Sequence, residues 1–87
     1  MSNGEFPTDH PQPDPEANER LGAVMADLRQ RAGLSQASLA ERVELEEQEI
    51  AAIEAGQLEP TWGDLRRIAY ALEVPLPELL ARTERSD

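Results

Sequence analysis

The chain has no cysteine and no lysine, and its single histidine, His10, lies in a proline-rich stretch. Without thiols there is no disulfide framework, no thiolate metal site and no cysteine nucleophile. One histidine outside any helical pattern excludes a His-based triad or a His-rich metal cluster. Arginine therefore supplies all the permanent positive charge, eight side chains against eighteen carboxylates, for a formal charge of −10 in 87 residues. Such acidity opposes general binding to nucleic acid or to a membrane surface, since phosphates attract basic proteins. No apolar run approaches the ~18–20 residues of a membrane span, and Met1-Ser2-Asn3-Gly4-Glu5 does not read as a secretory leader, so a soluble, cytoplasmic chain is expected. No nucleophile–base pair, phosphate-cradling loop or metal-ligand spacing is present. The expectation is a binding module, not an enzyme, without cofactor, metal or small-molecule substrate.

What is there divides unevenly. Residues 1–19 hold Glu5, Asp9, Asp14, Glu16 and Glu19, four of the seven prolines, and no arginine. Pro7-Thr8-Asp9-His10-Pro11-Gln12-Pro13-Asp14-Pro15 has little to bury and blocks both helix and sheet ladders, so residues 1–14 read as a disordered or extended tail, whose one large apolar side chain, Phe6, is either exposed or docked on the domain or a partner. From Asp14, an N-cap, and Pro15, suited to a first helical position, the pattern becomes helical. Leu21, Val24, Met25 and Leu28 form one apolar stripe, which Gly33 ends. Ser35 caps a second helix carrying Leu39, Ala40 and Val43. A third set, Leu45, Ile50 and Ile53, runs to Gly56, a natural stop. Thr61 caps a fourth helix with Asp64 completing a capping box, and Leu65, Ile68, Ala69 and Leu72 form its buried stripe. Val74-Pro75-Leu76-Pro77 turns the chain into a short fifth helix lined by Leu76, Leu79 and Leu80. The expectation is an all-α, compact five-helix domain over residues 15–82, with a frayed end at 83–87.

The run Leu34-Ser35-Gln36-Ala37-Ser38-Leu39-Ala40-Glu41-Arg42-Val43, then Glu44-Leu45, Ile50, Ile53-Glu54, Gly56, Pro60, Leu65, Ile68-Ala69 and Leu72, is more specific than a generic bundle. It resembles the lambda-repressor-like helix-turn-helix domain of the Cro/repressor, or xenobiotic-response-element, family of transcriptional regulators, ungapped from Leu21 to Leu80. Ala40 then falls where the second and third helices cross, a place that wants a small side chain. The resemblance implies a partly buried ion pair between Arg29 and Glu54. It implies DNA as partner, with the third helix in the major groove, base-reading positions at Glu46, Glu47, Gln48, Glu49 and Ala52, and phosphate contacts from Gln36, Ala55, Gln57 and Glu59. It also implies a homodimer through the last helix, where Leu76, Leu79 and Leu80 serve either as interface or as core.

At the DNA-facing positions the sequence departs from the family, which typically has Ser, Thr, Arg, Lys, Asn or Gln there. Between Arg42 and Arg66 there is no basic residue, while Glu44, Glu46, Glu47, Glu49, Glu54 and Glu59 place six glutamates. A carboxylate ~6 Å from a phosphate costs roughly 0.5–1 kcal/mol in a nearly aqueous dielectric. Several together oppose a non-specific attraction of only ~5–8 kcal/mol that comes from basic contacts. Acids in a helix's first turn also favour its dipole, which is a purely structural reason for Glu46, Glu47 and Glu49. Glu44 occupies a turn position where the family commonly has Gly. Trp62 is either a half-buried cover for the loop before the fourth helix or an exposed anchor. Arg66 and Arg67 form no evident groove-lining stripe. Arg20, Arg31 and Arg42 make a residual phosphate patch only if the fold gathers them near Gln36. Two readings follow: a DNA-binding regulator with a weakened reading helix, or an interaction module whose acidic third helix meets a basic protein.

Overall fold

The computed structural model describes residues 15–85, which form α1 (Pro15–Arg31), α2 (Gln36–Val43), α3 (Glu47–Glu54), α4 (Trp62–Ala71) and α5 (Leu76–Arg85), with no strand among them. The expected tail, with Asp14 as cap and Phe6, lies outside the described residues. α5 is helical to Arg85, past the boundary placed at 82, and Thr83 Oγ1 donates back to Leu79 O at 3.0 Å. An Arg82–Glu78 pair at 2.9 Å spans the same turn.

Helix starts are fixed by side chains. Ser35 Oγ accepts from Ser38 N–H at 3.0 Å, and Thr61 Oγ1 accepts from Asp64 N–H at 3.0 Å. Both bonds satisfy amides that a helix's first turn leaves without partners.

Helix ends repeat one device. Gly33, Glu44, Gly56 and Glu73 each adopt a positive φ, between 60° and 77°. In each case the next amide reaches back five residues: Leu34 to Arg29, Leu45 to Ala40, Gln57 to Ala52 and Val74 to Ala69, at 2.8–3.1 Å. This closes the orphan carbonyls of the last turn and reverses the chain sharply. Glycine adopts such a φ without a Cβ penalty, whereas glutamate does so at a cost of ~1–2 kcal/mol. The bend at Glu44 sets the α2–α3 angle, and the one at Glu73 makes Val74-Pro75 the start of a new element.

The apolar stripes converge on one core. Met25, Leu39, Ile50, Ile68 and Leu79, one from each helix, have no exposed surface. Leu76 packs against this core and Leu80 is half-buried, so the α5 leucines are largely turned into their own domain. Ala40, on α2, is buried.

Gly22 makes a closer approach that the stripe of large residues does not reveal. A Cβ there would lie 2.4 Å from Glu54 O and 2.5 Å from Ile53 O, so α1 packs backbone-on-backbone against the end of α3. Gly56, at the following bend, also lies close to α1: a Cβ there would be 2.7 Å from Glu19 Cγ and 3.0 Å from Glu19 Cα. These two contacts hold the start of α1 against the loop after α3.

Candidate nucleic-acid interface

α3 buries Ile50 and Ile53 and turns its other side outward. Glu46, Glu47, Gln48 and Ala55 are exposed, while Ala51 and Ala52 are half-buried. The projecting face therefore has carboxylates and one amide at its first turn, then only methyl groups. A shallow groove beside it is lined by Gln36, Glu46, Glu47, Gln48 and Ala51, with no arginine among its lining residues.

Within this set Glu49 is engaged by its own helix. Glu49 Oε1 accepts from Glu46 N–H at 2.9 Å, so Glu49 caps the helix it belongs to and is drawn toward the backbone. Gln48 Nε2 lies 3.5 Å from Glu46 Oε1, a long contact on an exposed surface. Gln57 and Glu59 are exposed in the loop after α3.

Gln36 is engaged from the inside. Its Nε2 donates to Glu54 Oε1 at 2.8 Å. Glu54 also accepts from Arg29, Nε to Oε2 at 2.7 Å and Nη2 to Oε1 at 3.1 Å, and Arg29 Nη1 donates to Leu34 O at 2.8 Å. The paired side chains are only 11% and 7% exposed. A two-pronged guanidinium–carboxylate pair of this kind is strong and direction-specific. The hydrogen bond to Glu54 raises the Arg29 pKa above its ordinary value, against burial, which lowers it. One carboxylate thus joins the end of α1, the turn before α2, the first residue of α2 and the end of α3. It fixes where Gln36 sits relative to α3.

Arg29 is the arginine linked to Gln36, through the Glu54 carboxylate they share. Arg31 pairs with Asp27 at 2.9 Å on the surface of α1. Arg42 instead lines an open groove with Arg66 and Arg67, bordered by Tyr70, Val74 and Pro75. The sequence reading that Arg66 and Arg67 form no groove-lining stripe is corrected here. Successive positions on α4 converge with the end of α2, a proximity that linear spacing does not encode. Arg67 Nε donates to Val43 O at 3.1 Å and its Nη2 to Asp64 Oδ1 at 2.7 Å, which ties α4 to the end of α2. Trp62 is 66% exposed, so the half-buried cover reading gives way to the exposed one; buried Pro60 closes the loop in its place.

Comparison with known proteins agrees with this architecture. The helix-turn-helix domain family matches residues 20–82. No curated protein sequence matches significantly. Among solved structures, the clp gene regulator ClgR from Corynebacterium glutamicum is similar with a TM-score of 0.77 and 24% identity, over 90% of this chain and 97% of that one. The restriction-modification controller protein C.AhdI from Aeromonas hydrophila is similar with a TM-score of 0.69 and 29% identity, over 71% of this chain and 94% of that one. No described helix is long and apolar enough to cross a membrane. With α2 and α3 set by the left-handed bend at Glu44, and the family match spanning all but the first turn of α1 and the end of α5, the chain belongs to the helix-turn-helix domain family in its lambda-repressor-like form.

Proposed function

We propose that the protein is a DNA-binding transcriptional regulator, with α3 as its reading helix and with low affinity for DNA of arbitrary sequence. The observation that carries this reading is the projecting face of α3, backed by a rigid core and flanked by Gln36 at the start of α2. The two similar structures are described as a gene regulator and a controller protein, which supports the same role. In the reading pose, Glu46, Glu47, Gln48 and Ala52 approach base edges while Gln36 and Gln57 approach phosphates. Glu49 contributes through its cap. Gln48 offers an amide for adenine, a glutamate can accept from cytosine N4, and the alanine methyls suit thymine methyl groups. Pairing of two copies for a two-fold operator is part of this reading, and sedimentation at micromolar concentration measures it.

The low affinity follows from charge. Glu46 and Glu47 are exposed at the leading edge and make no ion pair with any described residue. Replacing both by Gln is expected to tighten binding to mixed-sequence duplex roughly 5- to 30-fold at ~50 mM salt, from removal of ~0.5–1 kcal/mol of repulsion per carboxylate. Fluorescence anisotropy measures this directly. Unchanged affinity would mean that α3 does not face the duplex.

The lack of arginine along the α3 groove specifically favours a second reading, in which this face binds a basic protein and not DNA. Salt dependence separates the two. A slope equivalent to four or more phosphates supports DNA binding, and no detectable binding at ~50 mM salt supports the protein partner.

A further inference from the structure

The exposed side of α4 is unlike the rest of the surface. Trp62, Arg66 and Tyr70 recur every four residues and so share one face, with Trp62 66% and Tyr70 87% exposed. Exposed tryptophan, tyrosine and arginine together are the residue types that dominate binding energy at protein interfaces. The groove beside them adds Arg42 from α2 and Pro75 from the α4–α5 turn, with Glu73 as its one lining carboxylate. Arg42 and Arg66 make no ion pair with any described residue, although the chain has more than two acids for each arginine. In a strongly acidic molecule this is a concentrated positive, aromatic patch.

The same chain carries a segment of complementary chemistry. Residues 1–14 contain Glu5, Asp9 and Asp14, no arginine, and Pro7, Pro11 and Pro13 beside Phe6. Proline-rich segments bind aromatic-lined grooves because their extended form has little entropy left to lose. Acids between the prolines are suited to arginines beside such a groove.

Geometry permits the contact within one chain. Glu19 lies against Gly56, so the start of α1 abuts the loop that leads, six residues on, to Trp62. The path from Pro15 along α1 to Glu19 and through that loop is at most about 30 Å. Fourteen residues in an extended proline-type conformation reach about 43 Å. At that upper bound Asp9, Pro11 and Pro13 span the approach, and the part that arrives at Trp62 and continues along the ~12 Å to Tyr70 is the one that carries Glu5 and Phe6. Tethering supplies a local concentration in the millimolar range, so individually weak contacts suffice.

We infer that the N-terminal segment, residues 1–14, docks on the Trp62–Arg66–Tyr70 stripe and the Arg42 groove of its own chain. Docking neutralises the main cationic face of the domain and occupies a surface otherwise open to another acidic, proline-containing peptide. It leaves the α3 face free, so it is independent of what α3 binds.

The full chain allows a direct test, because with no native cysteine a Thr8→Cys variant accepts one nitroxide label at a unique site. Several-fold stronger paramagnetic broadening at the Trp62 indole and the Tyr70 amide than at Gln48 is expected, and it should vanish in the Arg42→Glu, Arg66→Glu double variant. Those side chains are exposed, so an unchanged amide spectrum elsewhere will show that the fold is retained. Broadening that is uniform, that centres on α3, or that survives the double variant overturns the proposal. Mixing labelled unenriched chain with unlabelled ¹⁵N chain identifies contact with a second copy. Broadening in that mixture equal to that within one chain overturns docking in cis.

Discussion

The two ends of α3 treat the same side chain in opposite ways. At its end Glu54 is nearly buried and receives three hydrogen bonds, two from Arg29 and one from Gln36. At its beginning Glu46 and Glu47 stand exposed with no cation paired to them among the described residues. The first is a structural charge, whose burial is tolerated only because it is matched. The second pair is unmatched, and under the proposed function its cost falls on whatever polyanion approaches. A charge tally counts these glutamates alike, although one holds the domain together and the others shape its outer field.

The contrast breaks most sharply at Glu54. Glu54→Ala leaves Arg29 buried without its partner and is expected to destabilise by ~3–5 kcal/mol, read by urea unfolding. Equal loss from Glu47→Ala would erase the distinction between the two ends. Next comes the contact that carries Glu54. Gly22→Ala drives a Cβ into the carbonyls of Ile53 and Glu54, and backbone cannot swing aside as a side chain can. Overpacking of this kind is expected to cost about 2–3 kcal/mol, with a fall in thermal midpoint.

A smaller effect of opposite sign lies at Glu44 and Glu73, both at φ 60°. Glu44→Gly and Glu73→Gly are each expected to stabilise by up to ~1 kcal/mol, the relief of a left-handed side chain less the added freedom of the unfolded glycine. Differential scanning calorimetry of the double variant tests whether the two gains add, as well-separated sites should. Smallest of all, Glu47→Gln should change stability by no more than ~0.5 kcal/mol, mainly through lost attraction to the helix dipole. Under the proposed function it is expected to alter DNA affinity and not stability, which sharpens the contrast with Glu54 from the other side.

Much of the scaffold was legible because the decisive signals are local. Ser35 and Thr61 announce helix starts through their own backbone geometry, and the stripes from Leu21 to Leu72 follow the helical period. Gly33 and Gly56 mark bends for the same local reason. Glu73 makes the same bend without a glycine to announce it, so only the backbone reveals it. Gly22 was equally silent, since a missing side chain inside a helix signals a close approach only once the neighbouring helix is in place.

The site was less legible. Glu49 looked like its neighbours, yet it turns back to cap Glu46. Gln36 combines an outward-facing role with an inward bond to Glu54 that no spacing rule supplies. Arg42 and Arg66 are far apart in sequence and line one groove because α2 and α4 pack together.

The main-chain contact at Gly22 has a mechanical consequence. Two helices whose backbones touch have no compliant layer of side chains between them. α3 therefore cannot tilt or slide by itself to suit an irregular surface; α1 must travel with it, and the hydrogen bonds between Arg29 and Glu54 brace the same joint. Whatever this helix meets must do most of the bending.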